Sequence, residues 1–308
     1  MKITGTFLDE ITYDIPSANW GPQEWAADFD AMQAIGIDTV ILIRAGLRDR
    51  MTFPSEVLSA AQPMRPVYLD LVDLFLTQAE RTGMTFYFGI YDSGRFWHAG
   101  PNGSAGQPER EVELNLRFTE EVARRYAGRK AFGGWYMTHE IHEHDEGVTR
   151  LIERLARHVK GLKDVPVLMS PYVRGRKQFA DAPITPEEHE RQWDQIFSIL
   201  SGFVDIVAFQ DGHVDFQELP TFMEINTRLA RKYGLQPWSN VESFERGMPL
   251  NFLPIDWRNL VDKIETAAAA GVEKLITFEF SHFMSPNSMW PSAHNLYRRY
   301  LEYIRQAP

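Results

Sequence analysis

Cysteine is absent from the 308 residues. That excludes disulfides, thiolate metal sites and a cysteine nucleophile, and it agrees with a reducing compartment. No apolar run reaches the ~18–20 residues that a membrane-crossing helix needs. Basic residues are outnumbered, 32 Lys and Arg against 42 Asp and Glu, for a formal net charge of −10. Phosphate neutralisation needs clustered cations, so no nucleic-acid partner is expected. No signal-peptide pattern precedes Ile3-Thr4-Gly5-Thr6-Phe7, and the expectation is a cytoplasmic protein unless a leader has been removed. A glycine-rich phosphate-binding turn is also missing. The first strand-like segment runs into Asp9-Glu10-Ile11-Thr12-Tyr13-Asp14 with no GxGxxG, which argues against a doubly wound sheet.

Strand-like and helix-like segments alternate along the whole chain. Apolar strand patterns cover 3–8, 39–43, 85–91, 133–137, 165–170, 204–209, 236–241 and 274–280. Helical stripes lie between them. Trp25, Phe29 and Met32 recur at i, i+4 and i+7 before Gly36. Leu69, Val72, Leu76 and Ala79 form the next stripe, stopped by Gly83. Thr185-Pro186-Glu187-Glu188 reads as a capping box with proline at the first helical position, leading into Trp193, Phe197 and Leu200. Eight strand–helix units with no linker between them predict a (β/α)8 TIM barrel, residues 1–308 as one domain. The long stretches 93–110 and 173–185 follow strand carboxyl ends and should overhang a site.

The residues that end the strands are polar or aromatic. They are Arg44 after the second strand, Tyr91 and then Trp97 after the third, and His139-Glu140 after the fourth. Tyr172 and Arg174 follow the fifth, and Gln210-Asp211 the sixth. Trp238, Asn240 and Glu242 belong to the seventh, and Glu279 sits in Thr277-Phe278-Glu279-Phe280 of the eighth. In a barrel these positions share one rim, which is where catalytic groups collect. Two carboxylates facing each other across the rim suit glycoside hydrolysis: one protonates the leaving oxygen, the other attacks the anomeric carbon or activates water. Glu140 and Glu242 fit that geometry, with Asp211 as a rival base. Arg44 and Arg174 either hold an anionic substrate or neutralise the local carboxylates. Aromatic residues such as Trp97, Tyr172 and Trp238 offer stacking surfaces for sugar rings. His139-Glu140-Ile141-His142 has its histidines three apart, not four, and follows a strand, so it does not match the zinc-peptidase helix. No metal and no other cofactor is expected.

Four motifs in order carry a resemblance. Gly134-Trp135-Tyr136 followed by Glu140, Ser170-Pro171-Tyr172, Gln210-Asp211-Gly212, and Trp238-Ser239-Asn240-Val241-Glu242-Ser243-Phe244 resemble the DUF4434 family, TIM barrels grouped with the glycoside hydrolases. The likeness includes Gly5-Thr6-Phe7-Leu8 and the Trp25 helix. The placement of the two glutamates is also similar to the large clan of retaining barrel glycosidases. That similarity implies Glu140 as acid/base and Glu242 as nucleophile. This chain departs from the clan in having His139 where asparagine is usual.

The resulting expectation is a glycoside hydrolase acting on a carbohydrate. Glu140 would be buried against Trp135 or Tyr136, and Glu242 kept ionised by Asn240 or an arginine. Arg44, Tyr91, Trp97, His139, Tyr172, Gln210, Asp211, Trp238, Asn240 and Glu279 would contact substrate. Two alternatives are a metal-dependent sugar hydrolase or isomerase using His139 and Glu140, and a non-catalytic carbohydrate-binding barrel.

Overall fold

The structure, a computed structural model, describes residues 1–12, 19–94, 107–246 and 252–306. The eight apolar segments form parallel strands: β1 (Ile3–Leu8), β2 (Thr39–Leu42), β3 (Thr85–Gly89), β4 (Phe132–Met137), β5 (Val167–Met169), β6 (Ile206–Gln210), β7 (Gln236–Asn240) and β8 (Lys274–Thr277). Each pairs with its neighbour in sequence, and β1 closes the ring on β8. Gly5 of β1 lies opposite Thr39 on one side and Ile276 on the other. The crossovers are α1 (Pro22–Ala34), α2 (Leu71–Thr82), α3 (Gln107–Tyr126), α4 (Glu146–Leu162), α5 (Pro186–Leu200), α6 (Leu219–Lys232) and α7 (Trp257–Ala269). Helix α8 (Pro291–Gln306) completes the outer ring. The chain is therefore a (β/α)8 TIM barrel. No helix among the described residues is long and apolar enough to cross a membrane.

Strand periodicity divides the core into two. Inward-facing side chains, among them Phe7, Ile41, Tyr87, Tyr136, Leu168 and Trp238, fill the barrel. Outward-facing ones, such as Leu8, Val40 and Leu42, share a cluster with helix residues such as Trp25, Phe29 and Met32 of α1. β4 shows both faces. Tyr136 points inward, its ring 5.2 Å edge-on from Phe7. Trp135 points outward onto Phe132 and Phe88, at 4.8 and 5.9 Å. Gly134 is needed because the Tyr87 ring fills the place of a side chain there; a Cβ would stand 2.1 Å from its edge.

Strand eight departs from the expectation. β8 stops at Thr277, and Phe278 and Glu279, joined by a cis peptide bond, leave the strand. Glu279 then caps a one-turn helix, Phe280–Phe283. A carboxylate that accepts helix N–H groups is better satisfied than one pushed into an apolar barrel. A further short helix, Glu56–Ala61, has no counterpart in the sequence reading. Short strands beyond the carboxyl ends of the barrel build its rim. Gly46–Leu47 pairs with Arg50–Met51 and Tyr91–Asp92, and Phe244–Glu245 pairs with Leu253–Pro254.

Candidate active site

The carboxyl ends of the strands enclose a cavity of about 500 Å³. Asp9, Arg44, Glu140, Gln210, Asn240 and Glu242 belong to its polar lining, from beyond or at the ends of β1, β2, β4, β6 and β7, together with Arg48, His213 and Arg246. Tyr172 and, from the 173–185 stretch, Gln178 and Phe179 form one side. Tyr172 and Phe179 lie nearly parallel at 6.1 Å, and His142 stacks on Tyr172 at 4.8 Å. The other side is phenylalanine: Phe244 meets Phe252 at 5.1 Å and Phe278 at 6.0 Å.

Glu140 and Glu242 both line this cavity, in opposite electrostatic settings. Burial pushes the Glu140 carboxyl up to about 7, although Arg44, Arg246 and Gln210 pull the other way; the nearby Glu242 charge adds to the rise. The Arg44 guanidinium is 3.8 Å away, too far for a tight ion pair to cancel the cost of burial. Tyr136, not the outward-facing Trp135, shares the cavity with Glu140.

Burial acts on Glu242 in the same sense, but Arg246, His213 and Lys263 outweigh it and hold the carboxyl below its ordinary value. Arg246 donates to both carboxylate oxygens, at 3.3 and 3.2 Å. At neutral pH the work falls to Arg246 and Lys263, because burial also holds His213 neutral, down to about 4. The expected arginine is thus Arg246, four residues on from Glu242. Asn240 instead donates to Ser170 Oγ at 3.2 Å, and its Oδ1 has no hydrogen-bond partner among the described residues.

Gly212 makes room for this arrangement. The Glu242 carboxylate lies where a side chain at 212 would be; a Cβ would stand 1.5 Å from Oε2. Asp211, beside it, does not line the cavity. It is fully withdrawn, accepting from Lys263 Nζ at 2.7 Å and from the Glu242 N–H at 3.0 Å. Sequence reading missed Lys263, although the signal was there. It occupies the apolar stripe of α7 with Leu260, Ile264 and Ala267, where a lysine needs a buried partner.

Several expected contacts lie elsewhere. Tyr91 is in the rim sheet, its hydroxyl donating to the Arg48 carbonyl at 3.0 Å and accepting from Gln62 at 2.9 Å. Trp238 packs inside the barrel below the cavity, against Tyr87 and under the Lys274 ammonium. Glu279 is fully buried, accepting from the Ser281 and His282 N–H groups and paired with the His282 ring. Arg174 pairs with Glu143 at 3.5 Å. Trp97 lies outside the described residues. His139 turns away from Glu140 and meets Glu111 at 3.2 Å. With Asp92 these two bring potential ligand atoms within 4.8 Å of one another, a group that does not include Glu140. Arg44 lines the cavity among Asp92, Glu140 and Asp9, whose charges raise its pKa against the effect of burial.

A solved structure from Bacteroides thetaiotaomicron, described as a candidate alpha-L-fucosidase, shares 45% identity over 99% of this chain and 94% of its own, with a TM-score of 0.94. An endo-1,4-beta-D-mannanase from Thermotoga petrophila superposes over 98% of this chain and 99% of its own at 11% identity, with a TM-score of 0.62. A beta-D-glucuronidase from Dictyoglomus thermophilum matches at 14% identity over all of this chain and 50% of its own, with a TM-score of 0.57. The last two share the barrel fold and carry no more than that. No curated protein matches the chain. Residues 3–290 match the family model DUF4434, described as a domain of unknown function, and the chain belongs to the DUF4434 family.

Proposed function

We propose that this protein is a glycoside hydrolase that cleaves an O-glycosidic bond with retention of configuration, Glu140 acting as acid/base and Glu242 as nucleophile. The observation that carries the reading is the split between the two carboxyls on one cavity: Glu140 raised to about 7, Glu242 held below its ordinary value. Two carboxyls whose surroundings push their protonation apart supply an acid and a base at one pH.

In the first step Glu140 gives its proton to the leaving oxygen. The ionised Glu242 attacks the anomeric carbon, and a glycosyl ester forms. Glu242 loses its charge in that step. Part of what keeps Glu140 protonated goes with it, so Glu140 stays in the ionised form that can take a proton from the water that hydrolyses the ester. Gln210 and Asn240 would hold sugar hydroxyls. Tyr172 and Phe179 on one side and Phe244 and Phe252 on the other would cover the apolar faces of the ring.

The relative described as a candidate alpha-L-fucosidase makes 4-nitrophenyl α-L-fucoside the first substrate to try, followed by other 4-nitrophenyl glycosides. Glu140→Gln and Glu242→Gln should each lower kcat by about 10²- to 10⁴-fold. Proton NMR of the first-formed anomer reads the stereochemistry, and an inverted product removes the nucleophile role from Glu242. Turnover left at the parent's level by either substitution sinks the two-carboxylate reading. Sugar binding without turnover in the parent would mark a carbohydrate-binding barrel instead.

A further inference from the structure

We propose that the buried Lys263–Asp211 pair is a positioning device that clamps the Glu242 backbone and so fixes its carboxylate at the cavity wall. The proposal rests on the reading of Glu242 as nucleophile. The pair touches Glu242 on both sides of its Cα. Asp211 Oδ1 accepts the Glu242 N–H at 3.0 Å, and Lys263 Nζ donates to the Glu242 carbonyl at 3.2 Å. The two clamping groups are tied to each other at 2.7 Å. They come from three successive parts of the barrel: Asp211 follows β6, Glu242 follows β7, and Lys263 reaches back from α7. Gly212 leaves the carboxylate a slot to lie in.

Neither Lys263 nor Asp211 lines the cavity; their side chains are 2% and 0% exposed. Stability alone is a poor reason for such a pair. Desolvating two charges costs several kcal/mol per ion, and an apolar pair of the same size is often as good. Apolar side chains, however, offer no acceptor for the Glu242 N–H and no donor for its carbonyl. Without them the Glu242 N–H and carbonyl lose their partners and only the flanking Val241 and Ser243 N–H groups, bonded to the Ile276 and Phe278 carbonyls at 2.8 and 3.0 Å, hold this turn; a displacement of about 1 Å at a reacting group costs on the order of 10²-fold in rate.

The test is the double variant Asp211→Asn/Lys263→Met, which removes both charges together and leaves no lone ion buried. Two quantities are read: the titration midpoint of the Glu242 carboxyl, by 13C NMR of glutamate-labelled protein, and kcat and KM on 4-nitrophenyl α-L-fucoside. The Glu242 resonance is assigned by its disappearance in Glu242→Gln. Clamping predicts a kcat about 10²-fold lower with KM within about twofold; a raised midpoint with the parent's kcat overturns it, because loss of the Lys263 charge by itself raises the Glu242 carboxyl. A folded double variant with the parent's midpoint and kcat overturns the proposal. If Glu242→Gln is inactive in that case, only the clamp fails. If Glu242→Gln stays active, the nucleophile reading fails and takes the clamp with it. Should the double variant not fold, Lys263→Met alone is measured in the same way, since it removes the donor to the Glu242 carbonyl and burial already favours the protonated form of the Asp211 left behind: a kcat lowered about 10²-fold with KM within about twofold supports the clamp, and the parent's kcat overturns it.

Discussion

Glu140 and Glu242 are the same side chain made into opposite tools by their neighbours. The difference comes from distance. Arg246 contacts both oxygens of Glu242, whereas Arg44 stands 3.8 Å from Glu140. The pH dependence of kcat/KM should therefore be a bell. Its acid limb belongs to Glu242 and lies below the ordinary carboxylate value; its alkaline limb belongs to Glu140 and lies near 7. Activity rises as Glu242 ionises and falls as Glu140 loses its proton. Glu140→Gln should abolish the alkaline limb in whatever activity remains, and a surviving limb near 7 would assign it to another group. Gly212 supplies a second test at this scale. Gly212→Ala places a methyl in the Glu242 slot, so the carboxylate must move. We expect kcat to fall by about 10²-fold while the melting temperature changes little, since the strain is local and partly relieved by rotating one side chain. An unchanged kcat would mean that the observed rotamer is not the reactive one.

At the scale of elements, the barrel was largely legible. Eight apolar segments with helical stripes between them, punctuated by glycines such as Gly83 in its left-handed C-cap, leave few other topologies. Glu140 and Glu242 were legible for the same reason, as polar residues just past apolar strands. What could not be read was depth and direction beyond each strand end. Trp238 and Asn240 both point into the barrel, but two residues are ~6.6 Å along a strand; Asn240 reaches the cavity and Trp238 lies a layer below it. Glu279 looked like a strand residue because its neighbours are apolar, yet its carboxylate turns back to cap its own helix. Asp211 looked like a base, but the lysine that neutralises it is 52 residues later. Capping shows the finer limit. Thr185 accepts from the Glu188 N–H at 3.2 Å as expected, while the Glu188 side chain goes to Arg191 and Gln192. Half of the capping box forms. Thr185→Ala should then cost about 1 kcal/mol, read as a shift of roughly 2 °C in melting temperature. No shift would mean that the packing of Trp193 and Phe197, both buried, holds α5 without its cap.

For the whole molecule, the two proposed catalytic carboxyls should affect stability with opposite signs. Folded Glu140 keeps its proton up to about 7, while an unfolded glutamate loses it near 4.5. The stability it contributes is fully present below that lower value and is lost as pH rises through about 7. By pH 8 the loss is about 3 kcal/mol, which Glu140→Gln recovers, raising the melting temperature by roughly 5 °C at pH 8 and hardly at all at pH 4. Glu242 runs the other way. Its folded carboxyl is held below the ordinary value, so it stabilises above the unfolded value and the effect fades as pH falls through the folded one. Glu242→Gln should therefore lower the melting temperature at pH 8, and by less as the pH approaches the folded value. The net charge of −10 does not blur the comparison. Removing either carboxylate relieves the same general repulsion, so a difference in sign between the variants reports only their local surroundings. Thermal melts of the parent and both variants at pH 4 and pH 8 decide the matter without any substrate. Shifts of the same sign at pH 8 would mean that the two carboxyls are not split, and the division of labour proposed for them would have no physical basis.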